Sequence, residues 1–249
     1  MKRQHLALLV LGAALSACTN SALLATQDES TARRTPSAAT PNQSEAAQLV
    51  QAAALIKRGQ PQRAIDLVDP VIARFVAENP PGKRLTFSPT SPAETRLYQG
   101  FLAEKNQDGV VLGPEPGLAV YLKGFALLEL KDTAQARTYL ELATRLAPAN
   151  SQYLSELGHL EQVSKNWARS LELFTDAESY AKFGTPETQR TRRTRALRGQ
   201  GFSLIELGRL DEAEDRFNKC LALDSGDERA RRELRYIADL RAKRARSSS

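Results

Sequence analysis

The sequence predicts an all-α chain, a solenoid of helical hairpins interrupted by one irregular segment and closed by a C-terminal capping helix. Three observations carry that expectation. Within the 249 residues, Gly124, Gly158 and Gly201 are spaced by 34 and then 43 positions. The same two spacings link Ala136, Ser170 and Ala213, then Leu140, Phe174 and Phe217, and also Ala143, Ala177 and Cys220. Parallel registers at a period between about 20 and 50 residues are the mark of stacked supersecondary units. Within each unit the apolar residues fall at helical spacing, and prolines such as Pro148 stand where a helix must stop.

Taken in order, the chain opens with a basic start, Met1-Lys2-Arg3, an apolar run from Leu6 to Leu15, and Leu15-Ser16-Ala17-Cys18. This is the layout of a secretory signal peptide covering residues 1–17. The apolar run is half the roughly 20 residues that a spanning helix needs, so it predicts a removable address and not a membrane span. The residues around Cys18 resemble the lipobox of bacterial lipoproteins. That resemblance implies cleavage before Cys18, acylation of its thiol, and a lipid-anchored protein facing the periplasm. Thr19 follows the cysteine where an Asp would mark inner-membrane retention, so the resemblance also implies the outer membrane. Residues 18–42 then form the acylated cysteine and a tether rich in Ser, Thr, Ala and Pro. As a flexible coil it would reach roughly 25–30 Å.

Asn42, with Glu45 three positions on, has the character of a helix start, and apolar residues follow at Leu49, Ala52, Ala53 and Ile56. Residues 43–80 are therefore expected to form a degenerate hairpin, with a turn at Gln60-Pro61 and a second helix that Pro70 should kink. The repeat pattern fails over 81–116. Ser91-Pro92-Ala93-Glu94 predicts a helix over 92–107, with Ser as N-cap and Pro at the first helical position. Leu85-Thr86-Phe87 and Val110-Val111-Leu112 look extended and able to pair.

Three clearer units follow, 117–150, 151–184 and 194–227, separated by a nine-residue insertion that accounts for the longer spacing. The best is Ala196 to Asp224, where Gly201, Leu204, Gly208, Leu210, Ala213, Phe217, Cys220 and Leu223 fall on one pattern. In 151–184 the matching residues are Leu154, Leu157, Gly158, Trp167, Phe174 and Ala177. Small residues let paired helices approach and the aromatic fills the space beside them. This unit resembles the tetratricopeptide repeat, TPR, and implies a TPR-like solenoid. Cys220 takes a place normally held by Ala, as a small buried hydrophobe. Residues 228–249 complete the chain: Ala230, Leu234, Ile237 and Leu240 give an Arg-rich helix one apolar face suited to cover the end of the array.

The TPR resemblance implies a concave surface lined by each first helix, at Leu118, Tyr121, Phe125 and Leu128, then Gln152, Ser155, His159 and Gln162, then Arg195, Arg198, Phe202 and Ile205. Such a groove grades from apolar to cationic and suits a peptide with hydrophobic anchors and an acidic end. Chaperone-tail-binding TPR domains use a carboxylate clamp there, and Ser155 and His159 do not match it. No catalytic residue, metal ligand set or cofactor is expected. With residues 1–17 removed, His159 is the one imidazole, too few for a zinc site, and no Gly-rich phosphate loop occurs. The formal net charge is +6, concentrated in Arg190, Arg192, Arg193, Arg195 and Arg198 and in the segment Arg229 to Arg246; export and the lack of a recognition motif argue against nucleic acid. The expected function is that of a noncatalytic envelope scaffold binding a protein or peptide partner, in the manner of lipid-anchored TPR proteins of pilus, secretion or cell-wall machinery. The alternative is an envelope enzyme or polymer binder with its site at 81–116 and the groove.

Overall fold

Ten helices and one pair of short strands make up the computed structural model, which describes residues 41–80, 82 and 84–247. Cys18 and the tether up to residue 40 lie outside the described residues. The first hairpin is α1 (Pro41–Lys57) and α2 (Pro61–Glu78). Helix α1 already includes Asn42, so this residue lies inside the first turn instead of capping it. Helix α2 runs without a break through Pro70, which lies at an exposed position.

The later hairpins are α4 (Glu115–Glu129) with α5 (Thr133–Leu146), α6 (Ser151–Val163) with α7 (Trp167–Tyr180), and α8 (Pro186–Glu206) with α9 (Leu210–Leu223). Each first helix packs on its own second helix, on the second helix of the hairpin before it, and on the preceding first helix. That ladder defines a TPR-like solenoid. Helix α4 stacks directly on the α1–α2 hairpin, so the irregular segment is inserted between consecutive units.

One turn recurs in all four hairpins. The N–H of Gln60, Asp132, Asn166 and Arg209 donates back to the carbonyl of Leu55, Leu127, Glu161 and Leu204, respectively. The residue before each donor is left-handed: Gly59 at φ +70°, Lys131 at +64°, Lys165 at +62° and Gly208 at +76°. This is a Schellman ending, which satisfies carbonyls that the helix leaves open. The same ending also occurs outside the hairpins, where the Gln107 N–H donates to the Leu102 carbonyl past Asn106 at φ +47°. What makes α1 and α2 a unit of the array is that α4 packs on both of them, although their side-chain pattern has drifted.

The small-residue registers are explained by backbone approach. A Cβ at Gly124 would stand 2.9 Å from Leu140, one at Gly158 3.0 Å from Phe174, and one at Gly201 2.6 Å from Phe217. Ala136, Ser170, Ala213, Ala143, Ala177 and Cys220 are all fully buried where the helices meet. The nine-residue insertion is no loop. Thr185 caps α8 by accepting from the Thr188 N–H, and most of the insertion is wound into an N-terminal extension of that helix.

Residues 85–111 form β1 (Leu85–Phe87), α3 (Pro92–Glu104) and β2 (Gly109–Val111), a β-α-β unit whose strands pair in parallel. The expected pairing is present, one residue earlier on the second strand, and α3 stops three residues short of Gln107. Ser91 caps α3 as anticipated, accepting from the Glu94 N–H. The unit is bonded to the solenoid edge: the Ser88 N–H donates to the Leu146 carbonyl at 2.7 Å, and the Ala149 N–H to the Tyr98 hydroxyl at 3.0 Å. Phe87 stacks on Tyr98 with ring centroids 4.7 Å apart, and Val111, Tyr180 and Phe183 close over them.

Helix α10 (Glu228–Ser247) buries Ala230 and Ile237, with Leu234 and Leu240 beside them, against the core of the last hairpin. Asp227 starts it, its carboxylate accepting from the Arg229 and Ala230 N–H groups. It caps the array, as its apolar face predicts.

Candidate functional site

Helices α4, α6 and α8 share one face, because each packs on the preceding first helix. At its centre a buried polar network joins all three. The Gln152 amide donates to the Tyr121 hydroxyl at 2.9 Å, the hydroxyl lies 3.4 Å from Glu156 Oε1, and Arg195 Nη2 lies 2.7 Å from the same oxygen. Burial, reinforced by the Glu156 charge, drives the Tyr121 hydroxyl well above the ordinary phenol range. Burial works against the Arg195 cation, but Glu156 outweighs it and the guanidinium stays charged. Tyr121 also stacks on Tyr153, with centroids 4.6 Å apart, and beside Phe125 at 6.1 Å.

Several expected groove residues turn out to be framework. Tyr121 and Ser155 are buried, and the Ser155 hydroxyl donates to the Ser151 carbonyl of its own helix. Ile205 belongs to the core under α9 and α10. Gln162 is half-buried and ties α6 to α8 by donating to the Gly199 carbonyl and the Ser203 hydroxyl. Arg195 is bonded to Glu156, and Arg198 Nη1 sits 2.9 Å from Asp227 Oδ2, a carboxylate that is itself buried. The cationic end of the groove therefore does not exist as a free surface: internal carboxylates already occupy both guanidinium groups.

Leu118, Phe125, Leu128, Gln152, His159 and Phe202 remain half-exposed. Phe202 meets the edge of Trp167 at 6.0 Å, so Trp167 packs at the turn as its position suggests. Beside His159, the Glu129 carboxyl is raised above its usual range by burial and by Glu156, with His159 acting the other way. The candidate surface is thus an apolar and neutral polar face laid over an internally neutralised floor.

Glu156 is the residue that sequence reasoning missed. It stands at the register of Leu122 and Gly199, and a carboxylate at an otherwise uncharged register was the available signal. The thiol of Cys220 is buried, directed at the Thr194 carbonyl 3.7 Å away, and pushed up to about 12 by burial with the Asp227 charge adding to it. Such a thiol is an inert packing group. Among the described residues, no set of three His, Cys, Asp and Glu side chains is gathered as a metal site, and no helix is long and apolar enough to cross a membrane.

A solenoid of helical hairpins with a shared first-helix face defines a TPR-like protein. Residues 119–150 match the tetratricopeptide repeat family model. Among solved structures, the chain is similar to MamA from Desulfovibrio magneticus RS-1, residues 41 to the end, with a TM-score of 0.51 and 14% identity over 82% of this chain and 89% of that one. It is also similar to the TPR-like repeats of a putative kinesin light chain from Podosopora anserina, with a TM-score of 0.53 and 14% identity over 81% and 89% of the two chains. At such identities the likeness concerns the fold. No curated protein matches the chain in sequence.

Proposed function

We propose that this protein is a noncatalytic scaffold, anchored through acylated Cys18 at the outer membrane and facing the periplasm, which binds a protein or peptide partner and assists assembly of an envelope complex such as a pilus, secretion or cell-wall machine. The observation that carries the binding role is the row of half-exposed Leu118, Phe125, Leu128, His159 and Phe202 across three consecutive first helices. Apolar side chains on a rigid floor are what a helix or extended peptide needs for anchoring. Arg195 and Arg198 are already paired, so the partner docks by apolar anchors and not by an acidic terminus. The β-α-β segment is a poor enzyme site, because Ser88, Glu94 and Tyr98 direct their polar groups into its own bonding and that of the solenoid edge.

A photo-crosslinking side chain at His159 tests this reading in intact cells. Capture of one partner, lost on Phe125→Glu while a cooperative thermal melt shows that the solenoid still folds, is the expected result. Capture only from outward positions of the second helices, such as Thr138, would place the binding surface elsewhere.

A further inference from the structure

The arginine cluster that stands out in the sequence is sorted by the fold into two groups. Arg195 and Arg198 face inward to Glu156 and Asp227, and Arg192 donates to the Phe183 carbonyl. Arg190 and Arg193 lie on the N-terminal extension of α8 and point the other way, into a cleft of about 630 Å³ between that extension, the end of α7 and the end of α9. Lys182, Glu178, Pro186 and Leu223 complete the walls that matter. The cleft exists because the nine-residue insertion lengthens α8 beyond the neighbouring first helices.

Its charge is not internally balanced. Glu178 is the single carboxylate in the lining, and both its oxygens are engaged, one by Arg193 Nε at 3.2 Å and one by the Gln200 amide at 2.9 Å. The terminal nitrogens of Arg193 have no protein acceptor among the described residues. Arg190 is exposed and makes no ion pair or side-chain hydrogen bond among them. The Lys182 ammonium lies over the Phe183 ring at 5.4 Å and makes no ion pair or hydrogen bond among the described residues. Two guanidinium forks and one ammonium thus face a cleft several times larger than a single phosphate, with Pro186 and Leu223 supplying apolar contact.

The geometry points to this cleft as a second binding site, separate from the first-helix face, for an acidic segment of a partner protein. Guanidinium groups bind both oxygens of a carboxylate, and the apolar walls accept the methylenes of Glu side chains. The volume and the apolar walls favour a peptide over a free anion. The charges, absent from the groove as usable surface, are concentrated here.

The test uses the full chain and a short fluorescent glutamate-rich peptide, with its glutamine counterpart as control. The expected result is salt-sensitive binding of the glutamate peptide alone, weakened about tenfold or more by Lys182→Glu with Arg190→Glu, a loss equal to at least about one charge-assisted contact. Arg190→Lys should retain part of it. Phe125→Glu should leave it unchanged, so failure of the groove reading and failure of this site are distinguishable. Equal binding of the two peptides, or no effect of the charge reversals, would overturn the site. Vesicles of phosphatidylglycerol in phosphatidylcholine form the other arm: if they bind through Lys182 and Arg190 while the peptide does not, the surface serves a membrane and the proposal fails.

Discussion

Arg195 and Glu156 form an ion pair at 2.7 Å between successive first helices, and the carboxylate is all but sealed from solvent, with its side chain 3% exposed. This pair turns what would be the groove's cation into part of its foundation. Charge reversal there is therefore a structural lesion. Arg195→Glu should cost about 3–5 kcal/mol, because it leaves Glu156 buried beside a like charge. Arg195→Met combined with Glu156→Leu should recover most of that loss. Urea unfolding of the three proteins, with the exposed Arg190→Glu as a control within about 0.5 kcal/mol of the parent, measures the difference.

Phe174 is held between two glycines of successive hairpins. A Cβ at Gly199 would lie 2.4 Å from its ring, whereas one at Gly158 would lie 3.0 Å away. Gly199→Ala should thus destabilise by about 1–3 kcal/mol through overpacking. Gly158→Ala should cost less, since a shift of a few tenths of an ångström relieves it. Gly100, in exposed α3, has no atom within 4 Å of its Cβ position, so Gly100→Ala should stabilise by about 0.5–1 kcal/mol. A ranking of melting temperatures in any other order would contradict this packing.

The recurring turn makes its own prediction. Lys131 and Lys165 adopt the left-handed conformation that Gly59 and Gly208 adopt at the equivalent places, and a residue with a Cβ pays about 1–2 kcal/mol for it. Lys165→Gly should stabilise the fold by about 0.5–1 kcal/mol after the greater entropy of glycine in the unfolded chain is subtracted. Gly208→Lys should do the reverse. Paired chemical denaturation curves decide.

Two buried carboxyls should tilt the pH dependence of stability in opposite directions. Burial raises the Glu94 carboxyl above its ordinary value of 4.5, and the bonds from Thr90 only partly offset this. The folded state therefore holds that proton more tightly, and the contribution of Glu94 to stability, full below the unfolded value, is lost as pH rises through the folded one. For Glu161, burial is outweighed by bonds from Arg137 and Asn166, which hold it below 4.5. Its contribution is present above the unfolded value and lost as pH falls. Glu94→Gln should gain on the parent as pH is raised from acid to neutral, and Glu161→Gln should lose, in unfolding free energies followed across that range.

The proposed membrane attachment would rest on one residue, Cys18. Cys18→Ser should shift the protein from the washed outer membrane to the soluble periplasmic fraction, or leave it unprocessed, because a stable anchor requires more than one lipid chain and, on the proposed reading, Cys18 is the residue that carries them. Mature-length protein persisting in the membrane would assign the attachment to another surface.

The hairpin repeat was legible in the residues alone, since Gly124, Gly158, Gly201 and their partners Leu140, Phe174 and Phe217 record a local, periodic requirement that two helices touch. So were the capping helix, through the apolar stripe of Ala230, Leu234, Ile237 and Leu240, and the start of α3, through Ser91. What was not legible there was which charges remain usable. Arg190, Arg192, Arg193, Arg195 and Arg198 are equivalent as letters, but helical rotation aims Arg195 and Arg198 at Glu156 and Asp227, while Arg190 and Arg193 turn toward the cleft. Ser155 and Ile205 fell to the core for the same reason: the width of an exposed face depends on how closely the neighbouring helices pack. Ion pairs between helices join residues 29 and 39 positions apart, and no periodic pattern encodes them. Only the stacking of the hairpins brings those partners within reach.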